Sequence, residues 1–200
     1  MEDVVKLYEE IRTCRKCKLC EKRINAVVGE GNLKAQIVFI GEGPGKNEDE
    51  MGRPFVGQAG KFLDEMLASI GFKREDVYIT NIVKCRPPEN RDPEEVEKNT
   101  CSPYLEIQLE IINPKIIITL GRHSMNYFLP TCQISKDHGQ PKRRLGRVFL
   151  PLYHPAAALY NGSLRQTLLK DFQLIPKLLK RIDLELESNE DVNGTKLHRN

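Results

Sequence analysis

AQIVFIGEGPG, residues 35–45, opens on an apolar run and closes on a glycine-proline turn. It reads as a short buried strand that delivers polar backbone to the end of a sheet. Three later stretches repeat the pattern. A second strand is expected at 77–80 within DVYITNIVKCRPPENRDP, a third in PKIIITLG (114–121) and a fourth in GRVFLPLYHP (146–155). Helical spacing fills the intervals. Val4, Val5, Leu7, Tyr8 and Ile11 predict a helix over 2–12, and VGQAGKFLDEMLASIGF predicts another over 56–70 with Gly71 closing it. Asp92 is expected to cap a helix opened by Pro93 and running to Ile112. A short helix follows near 122–129, and a last one covers 163–182, bent or split at Pro176.

Strands alternating with helices imply a three-layer α/β/α sandwich around a mainly parallel, four-stranded central sheet. Ligands of such sheets bind beyond the carboxyl ends of the strands. Those ends read GEGPG (41–45), TNIVKCRPP (80–88), LGRHS (120–124) and YHPAA (153–157), all polar or turn-forming. Residues 1–182 are expected to form one domain, and 183–200 a polar, disordered tail.

Composition narrows the class. The chain has 200 residues, 40% hydrophobic and 30% charged, and no apolar run approaches the roughly 18 residues a membrane helix needs. MEDVVKLYEE is acidic and amphipathic, unlike a signal peptide, so a cytoplasmic, nucleoid-associated location with no membrane partner is expected. The net charge is +3, but residues 183–200 hold five acids against two bases, leaving about +6 on the rest. KDHGQPKRRLGR (136–147) alone carries five Lys/Arg against one acid. Such a loop is either a solvated face or a seat for a phosphate backbone.

The six cysteines are Cys14, Cys17, Cys20, Cys85, Cys101 and Cys132. In a reducing compartment they argue for a metal or for catalysis over disulfides. Cys14 and Cys17 form a C-x2-C pair, while Cys85 and Cys101 lie 16 positions apart. Four thiolates suit zinc or an iron–sulfur cluster, and the wide second spacing leans toward the larger group. Spacing does not choose between Cys17 and Cys20.

CRKCKLCEKR, GEGPGKNEDEMGRPFVGQAGKFLDEML, ITNIVKCRPPENRDP and HPAAAL, taken together with LGRHS and Cys101 in register between them, resemble the family 4, iron–sulfur uracil-DNA glycosylases of thermophiles. The similarity spans roughly residues 10–180. The resemblance implies a [4Fe–4S] cluster on Cys14, Cys17, Cys85 and Cys101, structural in role. It also implies a monomeric DNA repair enzyme that flips uracil out of single- or double-stranded DNA and hydrolyses its N-glycosidic bond, with no lyase step.

Breaking that bond places positive charge on the sugar and negative charge on uracil, so the site must read the base, stabilise its anion and hold a water. An Asn81 amide can accept from N3–H and donate to O4, selecting uracil over cytosine. By resemblance, Phe55 stacks on the flipped base and His154 hydrogen-bonds O2. Glu42, Gly43 and Glu48 line the pocket. Glu42 is the candidate to position or polarise the water, because Gly43 stands where the best-known uracil glycosylases carry an acid. Glu48 is expected to crowd the C5 edge against thymine. Leu159 resembles a wedge residue, and Arg86, Lys142, Arg143 and Arg144 are expected backbone contacts. Two alternatives remain: an iron–sulfur relative with a broader range of deaminated bases, and a non-catalytic nucleic-acid-binding module.

Overall fold

The computed structural model describes residues 2–194, with side chains to residue 188. Helix α1 spans Glu2–Thr13, and a two-residue strand β1, Glu30–Gly31, precedes β2, Ile37–Gly41. Helices α2, Lys46–Met51, and α3, Gln58–Ser69, lead to β3, Tyr78–Asn81. Then come α4, Glu95–Ile112, β4, Ile116–Leu120, and α5, Arg122–Phe128. The chain continues through α6, Ile134–Asp137, β5, Lys142–Arg144, and β6, Arg147–Leu152. Three helices finish it: α7, Pro155–Leu159, α8, Gly162–Phe172, and α9, Leu174–Gly194.

The strand order is β1-β3-β2-β4-β6-β5. β3, β2, β4 and β6 run parallel, as expected, while β1 and β5 pair antiparallel at the two edges. The sheet therefore has six strands, not four. The two additional strands are two and three residues long and carry Glu30, Lys142, Arg143 and Arg144, so no apolar alternation announces them. Their pairing partners, not their composition, make them strands.

Side-chain alternation along the parallel strands builds the layers. Ile37 and Phe39 face one cluster with Phe62, Met66, Leu168 and Phe172, from α3 and α8. Val38 and Ile40 face the other, with Leu7, Ile11, Leu105 and Leu109 from α1 and α4. Because consecutive residues point to opposite faces, a strand covered on both sides must be apolar throughout. This is the physical content of IVFI and III in the sequence.

Helix boundaries differ at two places. α4 starts at Glu95 with Glu94 as N-cap, whose backbone N–H donates to the Glu97 carboxylate at 2.8 Å. Asp92 does not cap it, because its carboxylate faces Arg122 and His123. The split expected at Pro176 falls earlier, at Gln173, and Pro176 sits in the first turn of α9, where no backbone N–H is required. α9 continues to Gly194, so the boundary expected at residue 182 lies inside this helix, and residues 195–200 lie outside the described residues.

Candidate active site

The carboxyl ends of β2, β3 and β6 converge on a cavity of about 380 Å³, lined among others by Glu42, Gly43, Glu48, Phe55, Asn81 and His154. Six residues singled out from scattered sequence positions thus meet in one place. The volume suits a small molecule or a single base.

Asn81 ends β3 and is buried, and its Oδ1 has no hydrogen-bond partner among the described residues. A buried amide oxygen left unpaired costs about 1–3 kcal/mol, so it marks a position held for something else. Gly41 makes room for it. A Cβ at Gly41 would stand 2.4 Å from Asn81 Oδ1 and 2.8 Å from Phe55 Cζ.

His154 is the N-cap of α7, and its Nδ1 accepts from Ala156 N–H at 3.1 Å. A ring nitrogen that accepts is unprotonated, so the neutral ring carries its proton on Nε2. Desolvation drives the imidazole pKa down to about 4, against a small opposing effect of the Glu48 carboxylate, and the ring stays neutral at pH 7. Phe55 stacks on it, with centroids 5.6 Å apart and planes 27° from parallel. Phe55 is held at φ +51°, a region non-glycine residues rarely occupy. Gly121, at φ +91°, permits the approach of His154 from behind, since its Cβ would lie 3.0 Å from the histidine Cβ.

Glu48 does not present a free carboxylate to the cavity. Oε1 accepts from Val56 N–H and Gly57 N–H, each at 2.9 Å, and Oε2 accepts from Gly45 N–H at 3.1 Å. It fastens the Phe55 loop to the turn after β2.

Glu42 is the carboxylate left available. Burial, reinforced by Asp92 and opposed by Lys98 and Arg122, raises its pKa to about 7. Its Oε1 is buried without a hydrogen bond, and His123 Nδ1 stands 3.5 Å from it. Sequence reading found LGRHS as a polar strand end but gave His123 no role. Its proximity to Glu42 arises only when β2 and β4 pair.

Cys14, Cys17, Cys20, Cys85 and Cys101 line a second, enclosed space with Arg23, Lys84 and Tyr104. All six cysteines are free thiols. Arg23 Nη1 donates to Cys85 Sγ at 2.8 Å, and Lys84 N–H donates to Cys101 Sγ at 3.3 Å. Cys132 is elsewhere, half-buried against the core.

The expected DNA contacts separate into two groups. Arg86 Nε donates to Asn90 Oδ1 at 2.8 Å, and Asn90 is on the cavity wall. Leu159, 40% exposed, ends α7, and Tyr160 beside it is 93% exposed. Lys142, Arg143 and Arg144 are not brought to the cavity. They lie on the outer edge strand, with Arg144 opposite Arg147 at the far end of β6. Each already has a partner: Asp137 for Lys142 at 2.7 Å, Glu185 for Arg143 and the Phe128 carbonyl for Arg144.

The family model described as the uracil DNA glycosylase superfamily matches residues 28–179. A type-4 uracil-DNA glycosylase of Sulfurisphaera tokodaii is 52% identical over 89% of this chain and 86% of its own length. Those of Archaeoglobus fulgidus, 50% identical over 89% and 94%, and Saccharolobus solfataricus, 48% over 94% and 92%, are similarly related. With the parallel sheet, the cavity at its carboxyl ends and these matches along nearly the whole length, the chain belongs to the uracil DNA glycosylase superfamily, in its type-4 branch.

Proposed function

We propose that this chain excises uracil from DNA by hydrolysis, leaving an abasic site. The observation that carries the reading is the meeting of an unpartnered Asn81 amide oxygen with the Nε2–H of a neutral His154 across one base-sized cavity. Uracil offers an N3–H for the first and an O2 for the second. Cytosine has no N3–H and would leave Asn81 unsatisfied.

The flipped base enters beside Phe55, and the backbone approaches it closely at Gly43, where a Cβ would collide with Val83. As the C1′–N1 bond breaks, its electron pair moves onto uracil and builds charge at O2. His154 stabilises that charge by hydrogen bonding and retains its proton, because its pKa is far too low for it to be a cation at neutral pH. Water adds to the sugar carbon, and the Glu42 carboxylate orients it and receives its proton. Among the described residues that line the cavity there is no lysine, which accords with a monofunctional enzyme lacking a Schiff-base step.

Cys14, Cys17, Cys85 and Cys101 would hold a [4Fe–4S] cluster. These four thiols surround one space together with Cys20, and Cys85 and Cys101 receive N–H donors from Arg23 and Lys84, a donor set that fits the group. These residues would use it to tie the segment after α1, the loop after β3 and α4 together. Iron and acid-labile sulfide in equal amounts would confirm it, and zinc alone would refute it. We take the enzyme to be a cytoplasmic, nucleoid-associated monomer acting on single- or double-stranded DNA.

The test is base release from strands carrying one deoxyuridine, hypoxanthine, xanthine or thymine, each followed by alkali. Cleavage of the uracil strand alone, and only after alkali, supports the reading. Release of hypoxanthine or xanthine would move the chain to a broader specificity. No release by metallated protein that still binds DNA would leave a binding module.

A further inference from the structure

Glu42 stands between two cavities. One is the base pocket, and the other, of about 270 Å³, lies behind it among Leu120, Gly121, His123, Tyr153 and His154. The buried oxygen Oε1 has no hydrogen bond, and the group nearest to supplying one is His123, the second residue of α5, with Nδ1 3.5 Å away. Its other ring nitrogen, Nε2, accepts from Arg122 Nε–H at 2.9 Å and lies 3.1 Å from Asp92 Oδ2. Since Nε2 is an acceptor, the neutral ring carries its proton on Nδ1, the atom aimed at Glu42.

We propose that His123 is a positioning residue for the reaction: its Nδ1–H holds Oε1 of Glu42, so that Oε2 faces the base pocket and holds the attacking water. The inference rests on Glu42 being the water-holding carboxylate. The 3.5 Å separation exceeds a hydrogen bond, and such contacts tighten when substrate closes the site. Arg122 fixes the ring from the far side by donating to Nε2, so the donor is oriented before substrate arrives.

A donor to a carboxylate favours its ionised form. The groups facing Glu42 are Asp92 ahead of α4, Lys98 on α4, Arg122 and His123 on α5, and His154 across the pocket. The rate should rise with pH as Glu42 ionises. Removing the His123 donor makes ionisation harder, so the rising limb moves to higher pH.

The experiment is kcat/KM for uracil release between pH 5 and 9 with wild type, His123→Ala and His123→Asn. Asparagine places an amide N–H near the Nδ1 position and does not titrate. In His123→Ala the limb should move up by about one pH unit, and kcat at pH 7 should fall about ten- to a hundredfold with KM little changed. His123→Asn should restore the limb to its wild-type position. On a Glu42→Gln background, His123→Ala should change the residual rate less than about twofold, because the partner is already gone. An unmoved limb in a folded His123→Ala enzyme overturns the inference. So does an equal loss on both backgrounds. Absence of uracil release by the wild type is a different result, because it removes the proposed function itself and the inference with it.

Discussion

Asn81 and Glu42 each keep a buried oxygen without a hydrogen bond, and they meet at the same cavity. Buried oxygens left without a partner cost stability, and two of them at one cavity mark a place where a ligand can satisfy both. Replacing Asn81 by Ala should lower kcat/KM for uracil by about 30- to 1,000-fold, the equivalent of a buried base-edge pairing worth about 2–4 kcal/mol, while DNA binding persists. Equal loss of DNA binding would argue for a structural role instead. Glu42 carries a pH signature as well. Its folded pKa of about 7 lies above the ordinary carboxylate value of 4.5, so between the two the folded chain holds a proton that the unfolded chain has released. Stability is therefore fully present below about pH 4.5 and is lost as pH rises through about 7. With a quarter of the side chain exposed, we expect about 1–2 kcal/mol after allowing for solvent screening. Glu42→Gln should keep only a small residual rate, be more heat-stable than wild type at pH 8, and be nearly equal to it at pH 4.5. A stability gain independent of pH would contradict this account.

Between residue and fold, short elements aim the site. α7 is only five residues long, yet its N-cap is the histidine that lines the cavity. A cap therefore doubles as a tautomer lock. α2 places Glu48 so that its carboxylate gathers three backbone N–H groups from Gly45, Val56 and Gly57, on both sides of the pocket mouth. Loss of that carboxylate frees the strained Phe55 loop. Glu48→Ala should cost about 2–4 kcal/mol by thermal unfolding and raise KM more than it lowers kcat. If KM holds and thymine release appears, Glu48 acts on the C5 edge after all. α4 shows another local device. Pro103 interrupts its ladder, and Ser102 Oγ donates to the Asn99 carbonyl that the missing N–H would have served.

Across the whole molecule, one buried polar chain joins the thiol site to the base pocket. Lys84 is fully buried, with Nζ donating to Thr80 Oγ1, the Asn81 carbonyl and Gln108 Oε1 at 2.7, 2.8 and 2.6 Å. Its backbone N–H meets Cys101 Sγ, and Gln108 carries the chain on to Tyr78 and Tyr8 on α1. Burial lowers the ammonium pKa to about 8, against the nearby Cys101 and Cys85 thiols. Every proton of the ammonium has an acceptor, which is the condition for tolerating a charge in the core. Lys84→Met should take the ammonium donor from three buried acceptors and cost about 3–5 kcal/mol, seen as an earlier urea midpoint. An unchanged midpoint would mean water replaces the ammonium.

The sequence by itself determined the three layers and the parallel strands, because these are written locally, while the family resemblance pointed to the residues that line the cavity. Strands such as IIITL must be apolar on both faces, and residues at strand ends need no long-range knowledge to be located. It also displayed the thiols as metal ligands, while their spacing left zinc or iron–sulfur, and Cys17 or Cys20, open. Only the tertiary structure decided the rest. The edge strands exist because partners complete them, and KRR, basic enough to suggest DNA, is carried to the sheet's outer edge and paired there. Glu48 looked like a base contact but is consumed by backbone N–H groups from two loops. His123 looked like a helix residue until β2 and β4 came into register and set it beside Glu42. A hydrogen bond requires two groups to meet at about 3 Å, and for residues distant in sequence only the folded chain fixes that distance.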